Sequence, residues 1–91
     1  MSAPATAEPI CLIWSNEHRL WRGPDDEDYT GRLSRAGRYP LGVALRICRQ
    51  AILVSGHRLA ALPEIPVRLD DVLALRDHLV ITRGTPPEFL T

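Results

Sequence analysis

Lysine is absent from this chain, cysteine occurs twice, and aromatic residues make up only 5% of the 91 positions. The longest uninterrupted apolar run, Ile10 to Trp14, falls far short of the roughly 20 residues that span a bilayer, and no basic segment precedes it. The expectation is a chain with neither signal peptide nor membrane anchor, residing in the cytoplasm. Cys11 and Cys48 are too few for a secreted disulfide scaffold and lie in apolar surroundings, so both are expected as buried free thiols. A zinc site needs ligands paired at short spacing, whereas Cys11, His18, Cys48, His57 and His78 are all isolated. No glycine-rich phosphate loop or dinucleotide fingerprint occurs either, so no metal and no cofactor is expected. The missing lysines leave every cation an arginine, which a GC-rich codon choice accounts for more simply than selection for guanidinium chemistry.

What is present is an ordinary globular balance, 45% hydrophobic and 24% charged, with room for one hydrophobic core. Net charge is zero, yet the charges are sorted along the chain. Glu8, Glu17, Asp25, Asp26, Glu27 and Asp28 crowd the first part against Arg19 and Arg22. From Tyr29 to Pro63 there are Arg32, Arg35, Arg38, Arg46, Arg49 and Arg58 and no acid. The molecule is therefore dipolar unless the fold returns the acidic loop onto the arginines.

Residues 1–9 read as a disordered leader. Ile10 to Ser15 and Arg19 to Arg22 are β-rich runs with Asn16 and Glu17 between them, which predicts a hairpin. In that hairpin Leu12, Trp14, Arg19 and Trp21 share one face, and Cys11, Ile13 and Leu20 the other. Gly23 to Asp28 is a loop, and its four consecutive acids lack the alternating pattern and central glycine of a calcium site. Thr30 to Gly37 allows one irregular helical turn. Leu41, Ala44, Leu45, Cys48, Ala51 and Ile52 recur at helical spacing, with Pro40 suited to the first helical position, Gly56 to the residue past the end, and Arg46 and Arg49 pointing away from the apolar stripe. Pro63 and Pro66 mark Ile65 to Arg68 as an edge strand. Asp70 or Asp71 caps a final helix through Arg76, Leu79 to Thr82 suggests one more strand, and residues 85–91 read as a flexible tail. The fold class is α+β: a small antiparallel sheet, formed by the N-terminal hairpin and a short late strand, packed against one main helix and a shorter C-terminal helix. Residues 10–84 form its single domain.

Trp21-Arg22, Tyr29-Thr30, Leu33, Ala36-Gly37-Arg38-Tyr39, Ala44, Ile47-Cys48, Ala51 and Pro63-Glu64-Ile65-Pro66-Val67 together resemble small uncharacterised proteins encoded by phages, prophages and other mobile elements. In those proteins a Trp or Tyr strand leads to a Gly-Tyr-Thr segment, an Ala-Gly-aromatic turn, a helix and a Val-Pro strand. Asp28 stands where they often carry glycine, and Pro40-Leu41-Gly42-Val43 replaces their acidic helix start. The resemblance covers about half the chain and stops before the final helix. It implies an accessory protein of a mobile element, for which no catalytic residues are established, and proteins of this size and origin often cover a site on a host machine, as anti-CRISPR inhibitors do. Within the motif, Tyr29 and Tyr39 bracket a turn in which Gly37 supplies a backbone angle other residues avoid.

Three functional readings follow. The leading one is a non-catalytic domain that binds a host protein, with Trp14 and Trp21 either on a partly exposed hairpin face rimmed by Arg19 and the acidic loop, or both in the core beneath the final helix. The alternative is nucleic-acid binding by Arg32, Arg35 and Arg38, whose three-residue spacing presents one basic edge. The weakest is an enzyme using Cys48 as nucleophile and His57 as base, since Cys48 falls on the apolar helix stripe, where a thiol stays neutral. A second copy of the chain is kept open as a partner.

Overall fold

The computed structural model describes residues 8–26, 28–55 and 62–91, with Asp26 and Ser55 described by their backbone alone. Strand β1 (Ile10–Ser15) is the axis of the molecule. Successive side chains of a strand point to opposite faces, and in ICLIWS both sets are largely apolar, so β1 needs cover on both. It receives it: Cys11, Leu12 and Ile13 have no exposed surface.

β1 pairs antiparallel with β5 (Glu64–Arg68) along one edge, from Cys11 opposite Arg68 to Ser15 opposite Glu64. Its other edge is divided between β2 (Leu20–Arg22), which meets Trp14 and Ser15, and β4 (Tyr39–Pro40), which meets Ile10 and Cys11. β3 (Tyr29–Thr30) pairs outside β2. The chain is thus α+β, with β5 at an edge as its prolines predict. Pro66 has no N–H to offer a further strand.

The β1–β2 connection is longer than expected. Residues 16–19 form the turn, the Arg19 N–H donates to the Ser15 carbonyl at 2.8 Å, and Arg19 takes a left-handed φ of 59°. Arg19 therefore ends the turn and does not join the tryptophan face. Trp14 and Trp21 do face each other across the strands, edge to face with centroids 4.9 Å apart.

Helix α1 (Leu41–Ser55) lies over the Cys11 and Ile13 face, packing Ala44 and Cys48 against Tyr39. Pro40 precedes it in β4, and Gly56 lies outside the described residues. The buried stripe is narrower than its spacing predicts, and Leu45 is half exposed. The helix start is held by residues assigned to the leader: the Leu41 N–H donates to the Pro9 carbonyl at 3.0 Å and the Gly42 N–H to the Glu8 carboxylate at 3.0 Å. A carboxylate there satisfies an orphan donor and complements the positive end of the helix. The rest of the expected leader, residues 1–7, lies outside the described residues.

Helix α2 (Leu69–Arg83) covers the Leu12 face and is as long as α1, 15 residues each. Leu79 to Thr82 continues it and forms no strand. Leu69, Val72, Leu73 and Leu79 extend one helical stripe onto the core, and this packing overrides the β-branched composition of the last turn. Gly84 ends the helix at φ 89°, its N–H donating to the Val80 carbonyl at 2.9 Å. Residues 85–91, expected as a flexible tail, return to the core through a 3-10 turn at Glu88–Leu90, where Leu90 is buried and Phe89 stacks on Trp14 at 5.7 Å.

One corner joins the two halves of the motif. The Gly37 N–H donates to the Arg22 carbonyl at 2.9 Å, and the Tyr39 hydroxyl donates to the Gly23 carbonyl. A Cβ on Gly37 would stand 2.5 Å from the Gly23 oxygen. Gly37 is needed here for close backbone approach. The expected unusual backbone angle is not its role, since among the described glycines only Gly84 has positive φ.

Candidate functional site

The α1 face of the sheet changes character towards the β1–β2 turn. Cys11 and Ile13 give way to Ser15, and pairing places Glu64 beside Ser15 on that face, the one Arg22 shares. Arg22 and Glu64 form an ion pair with side chains only 13% and 7% exposed. Nε of Arg22 donates to Oε1 of Glu64 at 2.9 Å, and Nη2 donates to both carboxylate oxygens at 2.6 Å. The Tyr29 hydroxyl donates to Oε2 at 2.9 Å and accepts from Nη2 of Arg22 at 3.2 Å. The guanidinium lies 5.2 Å from the centre of the Tyr29 ring, and His18 covers that ring with centroids 4.3 Å apart. Burial pushes the Tyr29 hydroxyl above its ordinary range, and the hydrogen bond it gives to Glu64 adds to the rise. The three side chains are thus fixed by one hydrogen-bonded network.

These three side chains border a cleft of about 870 Å³ between α1 and the turn end of the sheet. Val43, Ile47 and Ala51 form an apolar wall with Arg46 and Gln50 beside them, Arg38 stands on the same side, and Glu17 and Asp25 line the cleft as well. Among the described residues the side chains of Arg32, Arg35, Arg38, Arg46 and Arg49 make no ion pair. All five are exposed. Among the described residues no acid of the first part of the chain is ion-paired with them, although Glu17 and Asp25 line the same cleft as Arg38 and Arg46.

The expected sites are dispersed. Trp21 is 4% exposed, its indole N–H held by the Phe89 carbonyl, and Trp14 is half-buried beneath Phe89. Of the two readings of this face, the structure has the covered one: α2 and the C-terminal turn pack on it. Arg32, Arg35 and Arg38 are all exposed. Leu33 and Ala36 pack on the Leu12 side of the sheet and Tyr39 on the α1 side, so the segment crosses between them. Arg38 is carried into the cleft, and Arg32 and Arg35 do not line it. Cys48 is buried on the core side of α1, where burial, with the Glu64 carboxylate adding, pushes its thiol up to about 11; His57 lies outside the described residues. Among the described residues no three histidine, cysteine, aspartate or glutamate side chains gather as a metal site would require, and no helix is long and apolar enough to cross a membrane.

Arg22, Tyr29, Arg46 and Glu64 are the cleft residues that sequence reasoning missed. Glu64 carries the one available signal: it is the first acid after a stretch of arginines, set inside the apolar run PEIPV. Comparison with known proteins adds no relative, since no protein family, curated protein or solved structure matches the chain.

Proposed function

We propose that this chain is a non-catalytic interaction domain of the cytoplasm that binds an acidic surface of a partner protein. The observation that carries the reading is the exposed outer side of α1, where Leu45, Arg49 and Leu53 follow one another at four-residue spacing and share a helix face. Exposed leucines interleaved with an arginine that makes no ion pair among the described residues form an apolar patch of the kind that marks an interaction surface, and a guanidinium takes a carboxylate through two parallel hydrogen bonds. The buried groups with chemical potential favour binding over catalysis: Cys48 is a neutral thiol, and Glu64 is engaged by Arg22 and Tyr29. The likeness of the motif to phage and mobile-element accessory proteins supports a host protein as the partner, and occlusion of a bacterial defence effector such as a CRISPR nuclease is the form such binding takes in the anti-CRISPR class.

Nucleic acid is the competing partner, with the zero net charge against it. Affinity capture from a bacterial host lysate, followed by titration of the purified partner, tests the proposal. A one-to-one complex that Leu45→Asp/Leu53→Asp abolishes supports it. Retention of DNA or RNA that falls steeply between about 50 and about 200 mM salt, with no protein bound, overturns it.

A further inference from the structure

We infer that the cleft beside Arg22 and Glu64 is the seat of a carboxylate-bearing peptide segment of the partner, with Arg38 and Arg46 holding the carboxylate and Val43, Ile47 and Ala51 holding an adjoining apolar side chain. The inference rests on the reading that the partner is an acidic protein, and it adds a second, concave contact to the outer face of α1. The cleft's volume of about 870 Å³ is sufficient for a short peptide segment. Arg22 does not read the ligand, because its guanidinium is spent on the Glu64 carboxylate; together they form a rigid, neutralised border. Arg38 and Arg46 have no such partner among the described residues.

Both reading arginines stand on fixed backbone. Arg46 is in the middle of α1. Arg38 lies between Gly37, whose N–H is bound by Arg22, and Tyr39, whose hydroxyl is bound by Gly23, so the main chain on both of its sides is ordered before any ligand arrives. The same cleft is also lined by Glu17 and Asp25. A polyphosphate chain would meet those carboxylates along with the arginines. A peptide that alternates acidic and apolar residues can place its charge against Arg38 and Arg46 and its apolar groups against α1. That difference selects peptide over nucleic acid as the occupant.

The test uses the full chain, isotopically labelled, with two blocked tetrapeptides as probes, Leu-Glu-Leu-Glu and Leu-Gln-Leu-Gln. The glutamate peptide is expected to shift the NMR signals of Arg38, Val43, Arg46 and Ile47, and the glutamine peptide to leave them in place. Arg38→Gln/Arg46→Gln should weaken binding at least about tenfold with the spectrum still dispersed, a loss matching two charge-assisted contacts. Glu17→Gln/Asp25→Asn should strengthen it, a gain that unfolding cannot mimic. Equal shifts from both peptides, the same shifts from a short single-stranded DNA, or shifts confined to Leu45 and Leu53 would overturn the assignment. The last pattern would leave the outer-face reading standing, whereas loss of the partner complex in Leu45→Asp/Leu53→Asp with peptide binding intact would leave both standing.

Discussion

The indole N–H of Trp21 donates to the backbone carbonyl of Phe89 at 2.6 Å, tying the second strand to the end of the chain across 68 residues of sequence. That bond, the stacking of Phe89 on Trp14 and the burial of Leu90 make the C-terminal turn part of the core. Leu90→Ala should therefore cost about 2–5 kcal/mol and Trp21→Ala about 3–5 kcal/mol. Urea unfolding measures both. Midpoints unchanged from the parent would mean that the C-terminal turn does not pack as described.

The corner between Gly23 and Gly37 leaves no space for a side chain. Gly37→Ala should destabilise by about 1–3 kcal/mol, because a Cβ 2.5 Å from the Gly23 oxygen forces the backbone apart. Gly31→Ala is the matched control, since its Cβ would meet only Leu20 at 3.6 Å. Thermal melts of the two variants should separate clearly; coincident curves would remove the corner as a structural constraint.

Removing Arg22 leaves the Glu64 carboxylate in a nearly closed site with the Tyr29 hydroxyl as its hydrogen-bond donor among the described residues. Arg22→Met alone should cost about 3–5 kcal/mol, whereas Arg22→Met/Glu64→Met should cost much less than Arg22→Met and Glu64→Met summed. A double-mutant cycle in denaturant gives the coupling, and additivity would show that the pair carries none.

Alkaline pH tests the burial of Cys48. The thiol titrates near its ordinary value of 9.0 when unfolded and at about 11 when folded, so the native state holds the proton more tightly. The resulting stabilisation is complete below pH 9 and is lost as pH rises towards 11. Cys11 and Tyr29, raised in the same direction, add to the decline. Denaturation at stepped pH should show it, and Cys48→Ala should make it shallower; an equally steep decline in that variant would place the thiol outside the core.

Much of the scaffold is legible in the residues because its signals are local. The alternation in ICLIWS gives a strand with two apolar faces, the Leu41 to Ile52 spacing gives α1, and the prolines put β5 at an edge. Local signals also mislead where packing decides. LVIT has strand composition, yet Leu79 completes the stripe of α2, and the Pro-Pro before Glu88 reads as a tail although Leu90 fills the core. The cleft is the least legible part. Arg22 and Glu64 lie 42 residues apart and meet only because β1 pairs with both their strands. Arg38 lines the cleft while Leu33 and Ala36 of the same segment pack on the other side of the sheet, a placement that no local signal announces.

The central claim, that exposed arginine and leucine side chains of α1 bind an acidic partner protein, is tested most directly by calorimetric titration of the captured host protein with the parent chain and with Arg46→Glu/Arg49→Glu. Both positions are exposed and make no ion pair among the described residues, so the variant should keep its stability to within about 0.5 kcal/mol. The account predicts that it loses at least about tenfold in affinity, the worth of one to two charge-assisted contacts. Equal affinity of the two chains for the partner would contradict it.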